Sequence, residues 1–135
     1  MKPIEIKKSI FKKHGVKLAY LFGSQVKGSS VKKSDFDIAV LFKEKNNSLD
    51  FFDETIYLKD ALIKYFPNEI NIVALNDADS LLKYEVISNN ILLYSDDQKF
   101  RIDFEVLSVK EYIDDQYMRN IYFDALTKRI QKGAF

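Results

Sequence analysis

Residues 18–42 read LAYLFGSQVKGSSVKKSDFDIAVLF, and this stretch decides the fold. It contains the two longest uninterrupted apolar runs of the chain, residues 18–22 and 38–42. Short apolar runs that end at glycine, serine or aspartate are typical of buried strands. We therefore predict a strand over Val16–Phe22, a glycine- and serine-rich connection over residues 23–34, and a second strand over residues 35–42.

Outward from this stretch, helical and strand-like patterns alternate. They predict a helix from Pro3 to a glycine cap at Gly15, a helix over residues 49–66, a third strand over residues 70–75 and a short helix over residues 77–88. Residues 91–94 form only a brief apolar run. Residues 98–132 predict one or two long helices, with Val106, Val109, Ile113, Tyr117, Ile121 and Ala125 on a single stripe. At ~1.5 Å per residue, one unbroken helix would be ~50 Å long, so we expect part of its apolar surface to meet a partner.

The order of these elements predicts the fold class. Helices and strands in the order α-β-β-α-β-α-α favour an α+β fold, a small mixed sheet with helices packed on one face. A length of 135 residues is that of about one domain. We divide it into a core over residues 1–95 and a C-terminal helical extension over residues 96–135 of the same domain.

The composition excludes several classes of protein. Lys plus Arg is 21 and Asp plus Glu is 20, so a net charge of +1 gives no reason to expect direct nucleic-acid or membrane binding. The absence of cysteine excludes disulfides, cysteine-ligated zinc and a thiol nucleophile. The single histidine, His14, is interpreted as a cap of the first helix. Without an apolar span of ~20 residues or a signal peptide, the sequence predicts a soluble, cytoplasmic protein.

The chemistry is concentrated in Gly23-Ser24 and in Asp35-Phe36-Asp37, with ten residues between Ser24 and Asp35. Side chains alternate along a strand, so Asp35 and Asp37 project to the same side, ~6–7 Å apart. Two such carboxylates can hold Mg²⁺ ions. Gly23 lets a backbone N–H approach a phosphate, and the Ser24 hydroxyl can donate to a phosphate oxygen. Together these residues predict a site for a triphosphate and its metals.

This string resembles the signature of the DNA polymerase β-like nucleotidyltransferase superfamily, and the wider phrase from Phe22 to Val40 is similar to its minimal nucleotidyltransferase (MNT) branch. The resemblance implies a nucleotidyltransferase fold that uses ATP and Mg²⁺, and an antitoxin that transfers AMP to a tyrosine hydroxyl of a HEPN ribonuclease toxin. It implies that Asp35 and Asp37 are catalytic metal ligands. Phosphate contacts are implied for Gly23, Ser24, Lys27 and Ser34, although Lys27 is equally well read as a solvated surface lysine.

The sequence departs from the superfamily pattern at Asn71. The resemblance implies a third carboxylate on the next strand, where this chain has Ile70-Asn71-Ile72. An amide oxygen can ligate a metal weakly, but it brings no charge and cannot act as a base. Glu69, one pleat repeat away, is a candidate to reach partway toward the metals. We assign Asn71 to the metal site and expect slow or absent chemistry.

Two alternatives remain open beside protein adenylylation. One is a catalytically weak or inactive module that neutralises its partner by binding. The other is nucleotidyl transfer to a small molecule, as in aminoglycoside-modifying relatives. The chain lacks the Arg-x4-His motif that is expected of a HEPN ribonuclease, so it is not the toxin itself.

Overall fold

The backbone forms a four-stranded mixed sheet in a computed structural model that describes residues 5–27, 35–45 and 50–133. The strands are β1 (Val16–Phe22), β2 (Phe36–Phe42), β3 (Ile70–Ala74) and β4 (Ile91–Ser95). Their order is β3-β2-β1-β4. The central strand β1 pairs antiparallel with both β2 and β4, whereas β2 pairs parallel with β3.

Five helices accompany the strands in the described part of the chain: α1 (Lys8–Lys13), α2 (Ser24–Lys27), α3 (Phe52–Leu62), α4 (Ser80–Ser88) and α5 (Gln98–Gln131). Tight 3-10 turns follow α3 at Ile63–Tyr65 and β3 at Leu75–Asp77. Asp79 and Asp97 cap α4 and α5, because their carboxylates accept hydrogen bonds from the first free backbone N–H groups. Gly15, with φ of +71°, follows α1 as the sequence predicts.

The three predicted strands lie close to their predicted bounds. The first strand matches, and β2 and β3 differ from prediction by one residue at one end. The C-terminal segment is one helix of 34 residues. The described residues 5–7 and 50–51 are not helical, so α1 and α3 begin later than predicted, and the predicted starts themselves, Pro3 and Leu49, lie outside the described residues. Helix α3 also ends at Leu62 rather than at residue 66, and α4 begins at Ser80 rather than at residue 77. The strand β4 was not predicted, because a short run at a sheet edge, with two of its five residues exposed, lacks a clear period.

The α+β class is confirmed, but helices cover both faces of the sheet rather than one. One face packs Ala19 and Leu21 against Phe11 of α1 and Leu58 of α3. The opposite face packs Leu18 and Tyr20 against Val86 of α4, with Phe100 and Phe104 of α5 beside them. Strands buried on both sides are apolar at successive positions, and this explains the uninterrupted runs at residues 18–22 and 38–42.

Only the first part of α5 belongs to the core. Phe100 and Phe104 pack with the sheet residues, and Ser108, one turn later, is buried. Helix α4 runs antiparallel beside α5 and is joined to it by the Lys83–Glu111 ion pair at 3.4 Å and by Tyr84 stacked on Tyr112 with ring centroids 3.9 Å apart. The predicted apolar stripe of α5 does not pack in the core. Three of its residues, Val106, Ile113 and Tyr117, are 64%, 57% and 66% exposed. No helix in the described residues is both long and apolar enough to cross a membrane.

Candidate active site

Strand register brings the predicted acidic residues and Asn71 together. Asp35 directly precedes β2, and Asp37 is its second residue. Asp37 lies opposite Asn71 in the parallel β2–β3 pair and opposite Phe22 in the antiparallel β1–β2 pair. The Asn71 Nδ2 donates to Asp35 Oδ2 at 3.2 Å and lies 3.5 Å from Asp37 Oδ1. Three residues that are far apart in sequence therefore share one end of one sheet face.

Gly23 lies directly against this cluster. It ends β1 with φ of +86°, a backbone conformation that side chains disfavour. A Cβ built at Gly23 would collide with the Asp37 carboxylate, so glycine is required both by the turn and by the neighbouring side chain. The Gly23 carbonyl accepts a hydrogen bond from Val26 N at 3.1 Å, and this bond turns the chain into α2 with Ser24 as its first residue.

The other predicted residues are less fully placed. Lys27 is the last residue of α2, and Ser34 lies outside the described residues. Glu69 precedes β3 with an exposed side chain, and its backbone carbonyl accepts a hydrogen bond from Phe36 N at 2.9 Å. The role of Glu69 as a further ligand stays a prediction. His14 caps α1, and partial burial together with the nearby Lys13 lowers its pKa.

The donor set of the cluster fits a divalent cation. The Asn71 amide N–H₂ stands between the two carboxylates, at the position where a cation would offset their mutual repulsion. Rotation of that amide by half a turn presents its oxygen in place of its nitrogen. Two carboxylates and an amide oxygen are the hard ligands that Mg²⁺ prefers. Among the described residues no group of three or more His, Cys, Asp and Glu side chains could hold a metal ion, and in this cluster the third side chain is an amide.

Lys59, which the sequence analysis did not single out, lines a groove together with Asn71. A shallow groove between α3 and β3 is lined by Thr55, Ile56, Lys59, Asn71 and Ile72. Thr55 and Lys59 are spaced by four, so they lie on one side of α3. This polar pair at the border of an otherwise apolar helix face is the sequence feature that could have identified Lys59. The groove therefore brings the positively charged side chain of Lys59 near Asn71, at the edge of the acidic cluster.

Comparison with known proteins relates this chain to nucleotidyltransferases. The family model described as "Polymerase beta, Nucleotidyltransferase" matches residues 5–99. A protein of Methanocaldococcus jannaschii, "Putative protein adenylyltransferase MJ0435", is 33% identical over 90 residues, which are 64% of this chain and 92% of that protein.

Solved structures with a similar fold include toxin–antitoxin complexes. A chain in a crystal structure of a toxin–antitoxin pair with AMP-PNP is 25% identical, with a TM-score of 0.66 over 88% of this chain and 94% of that chain. A second similar chain belongs to a tri-AMPylated Shewanella oneidensis HEPN toxin in complex with an MNT antitoxin. It is 23% identical, with a TM-score of 0.61 over 88% of this chain and 91% of that chain, and this likeness is one of fold.

Proposed function

Because this chain belongs to the polymerase beta nucleotidyltransferase family, we propose that it is an antitoxin that transfers AMP from ATP to a tyrosine hydroxyl of a partner HEPN ribonuclease toxin. The observation that carries the proposal is that Asp35 and Asp37 share the Asn71 amide and that the Asp37 carboxylate lies against Gly23, where a Cβ would leave no room. The adenylyltransferase relative and the toxin–antitoxin structures support AMP as the transferred group and a toxin as the acceptor. We place the reaction in the cytoplasm, where ATP is available.

In the proposed mechanism each residue has a distinct task. Asp35 and Asp37 would hold Mg²⁺, with the Asn71 amide oxygen as a weaker ligand, and the metal would offset charge on the triphosphate. The Gly23 N–H and the Ser24 hydroxyl bind the β- and γ-phosphates, with Lys27 and Ser34 as further phosphate contacts. The tyrosine oxygen bonds to the α-phosphorus while the bond from that phosphorus to the bridging oxygen breaks and pyrophosphate leaves. Asn71 has no basic atom, so the phenol proton passes to water.

The amide at position 71 also sets the expected rate. Loss of one preorganised charged group in an active site commonly costs on the order of 10²–10³ in rate. A slow enzyme can still control a toxin if it needs to modify each toxin molecule only once. We therefore expect transfer that is measurable at high enzyme concentration and slow per active site.

The transfer reaction can be tested with the product of the neighbouring gene as the candidate toxin. Incubation of the two proteins with ATP and Mg²⁺ should add one or more AMP units to the toxin, measured by intact mass. The variant Asp35→Asn should abolish the addition. The matched variant Asp60→Asn, which changes an exposed aspartate of α3, should leave it intact. An unmodified toxin at high enzyme concentration would contradict the proposal.

The alternative is a module that neutralises the toxin by binding alone, and the replacement of the third carboxylate by Asn71 favours it. The double variant Asp35→Ala/Asp37→Ala distinguishes the two functions. If it binds the toxin but no longer rescues cells from it, the enzyme is required. If it rescues cells as fully as the parent, binding is sufficient.

A further inference from the structure

The C-terminal part of α5 continues past the rest of the domain with its side chains exposed. The family match ends at residue 99, whereas α5 runs to Gln131. After Tyr112, which stacks on Tyr84 of α4, every described residue except Leu126 is exposed. These residues include seven large apolar side chains that are between 47% and 66% exposed. Apolar side chains that collect on one exposed element are typical of an interaction site.

The charges of this part of α5 are arranged about a midpoint that lies between Ile121 and Tyr122. Residues 111–132 carry eight charged side chains, of which four are acidic and four are basic. Each acidic residue lies as many positions on one side of the midpoint as a basic residue lies on the other side. The four pairs are Glu111 with Lys132, Asp114 with Arg129, Asp115 with Lys128, and Asp124 with Arg119. Reversal of the direction of the helix therefore exchanges every charge for its opposite.

Two of these pairs share one side of the helix with an apolar centre. The first two pairs together with Met118, Ile121, Tyr122 and Ala125 fall within a sector of about 100° around the helix axis, and we call these eight residues the seam. The midpoint relates Met118 to Ala125 as it relates Ile121 to Tyr122. The seam is therefore acidic at one end, apolar in the middle and basic at the other end. Asp124 and Lys128 lie outside it and pair with each other at 3.2 Å.

The space beside the seam is open along its length. Met118, Ile121 and Tyr122 are 62%, 47% and 63% exposed. Leu107, one turn before Glu111 on the same side of α5, is 54% exposed, so none of the described elements covers the helix at the end nearer the sheet. The Glu111 carboxylate pairs with Lys83 at 3.4 Å but stays partly exposed. A second helix can therefore lie along the seam.

The midpoint relation identifies a second copy of this chain as the occupant. In a twofold contact residue i of one copy meets residue j of the other, and residue j meets residue i. When two α5 helices pair antiparallel about the midpoint, the acidic end of each seam lies beside the basic end of the other, and the apolar centres meet. A partner of different sequence would require no relation between the two halves of this helix.

We propose that this chain forms a homodimer in which residues 111–132 of two α5 helices pair antiparallel through the seam. The overlap is ~33 Å long at ~1.5 Å per residue, and the two sheets lie beyond its opposite ends. Exposed ion pairs add little free energy, so the apolar centre stabilises the dimer while the charges set its direction and register. An overlap of this length is a small interface, and we expect a dissociation constant in the micromolar range. The proposal involves neither ATP nor a toxin and so stands apart from the proposed function.

A charge exchange tests the partner and the direction together, with the dissociation constant measured by sedimentation of the full chain. The variant Asp114→Arg sets its arginine against Arg129 of the other copy and should weaken the dimer by about 10-fold or more. The exchange Asp114→Arg/Arg129→Asp restores opposite charges and should return the dissociation constant to within about 3-fold of the parent. The control Asp60→Arg makes the same change of charge at an exposed residue of α3 and should leave the dimer unchanged.

Single cysteines test the register, since the chain has no cysteine of its own. Ile121→Cys lies beside the twofold axis and should form a disulfide between two copies under mild oxidation. Two Asp114→Cys chains should not cross-link, because their cysteines lie ~22 Å apart in the antiparallel pair. A mixture of Asp114→Cys and Arg129→Cys chains should form the mixed disulfide.

Other outcomes would overturn the inference. A parent that stays monomeric at millimolar concentration has no such dimer, and if Ile121→Lys then weakens toxin binding, the toxin occupies the seam instead. A dimer that Ile121→Lys leaves intact forms through another surface. A disulfide between two Asp114→Cys chains indicates parallel pairing, and a dimer that the charge exchange fails to restore has a different register.

Discussion

At the scale of single residues, Asn71 stabilises the acidic cluster without a metal but lacks the negative charge that would bind a metal ion strongly. Its amide donates toward both Asp35 and Asp37 and so compensates two negative charges without a metal. A carboxylate there would repel both neighbours in the free protein and attract a divalent ion more strongly. The asparagine therefore favours a cluster that is stable when empty, at the expense of metal affinity.

We predict that Asn71→Asp makes the free protein less stable and its metal-bound form more stable. Repulsion between carboxylates about 4 Å apart costs about 1 kcal/mol or more near a surface. With Mg²⁺ and ATP the sign reverses, because three carboxylates share the divalent charge. Thermal melts with and without Mg²⁺-ATP should show a lower starting melting temperature and a larger increase than in the parent. AMP transfer should be faster by about 10-fold or more.

The matched control for this prediction is Asn89→Asp, the same change at an exposed residue that follows α4. It should leave the response to Mg²⁺-ATP unchanged. If Asn71→Asp alters neither the melting response nor the transfer rate, position 71 does not contact the metal. Glu69 is then the next residue to substitute.

At the scale of elements, one polar network fastens α5 to the sheet. The hydroxyl of Tyr20, which is fully buried in β1, donates to Glu105 Oε1 at 3.1 Å. Arg101 Nη1 donates to both oxygens of the same carboxylate at 3.2 Å. Because the network joins residues 85 positions apart, it fixes how α5 lies across β1 and therefore where its exposed half begins.

We predict that Tyr20→Phe lowers the free energy of unfolding at neutral pH by about 1.5 kcal/mol, the usual contribution of a hydrogen bond to a charged group. Burial and the nearby Glu105 raise the pKa of Tyr20 above its ordinary value of 10.0. The folded parent therefore keeps its phenol proton when the unfolded chain loses it. Above pH 10.0 the parent should lose about 1.4 kcal/mol of stability per pH unit, a loss that the variant lacks.

Urea unfolding between pH 7 and pH 11 measures this difference. The difference in the free energy of unfolding between the parent and Tyr20→Phe should become smaller above about pH 10. Tyr57→Phe, a change at a tyrosine that is 61% exposed, should follow the parent at every pH. A gap that stays constant with pH would show that Tyr20 titrates normally and that its environment does not favour the neutral phenol.

At the scale of the whole molecule, the candidate site and the apolar helix are built independently. The site rests on the register between β1, β2 and β3. Residues 113–131 lie beyond the Lys83–Glu111 ion pair and the Tyr84–Tyr112 stacking that join α5 to α4. Nucleotide binding and self-association should therefore be separable by truncation of the chain.

We predict that a chain ending at Tyr117 keeps its fold and its affinity for Mg²⁺-ATP but no longer dimerises. Of the removed residues that the structure describes, 118–133, all but the half-buried Leu126 are exposed, so the melting temperature of the monomer should change by only about 2–4 °C. A chain ending at Leu107 provides the contrast, because it also removes Ser108 and the contacts of Glu111 and Tyr112 with α4. The melting temperature of this shorter chain should be much lower than that of the parent. A dimer formed by the first truncation would contradict the prediction.

The sequence by itself determined the family, the strands that carry the motif and the identity of the candidate site residues, because these depend on local patterns. Gly23, Ser24, Asp35 and Asp37 stand at fixed spacing beside two apolar runs, and the family match confirms the resemblance drawn from them. Their roles in binding phosphate and metal stay predictions. Tertiary structure decided that helices cover both faces of the sheet, that residues 91–95 form the edge strand β4, and that the α5 stripe is exposed. Each of these depends on contacts between elements that are distant in sequence. Helical spacing shows that Ile113, Tyr117 and Ile121 share a side, but only the folded structure, in which Phe100 and Phe104 pack with the sheet residues and these three side chains are exposed, shows that this side faces outward.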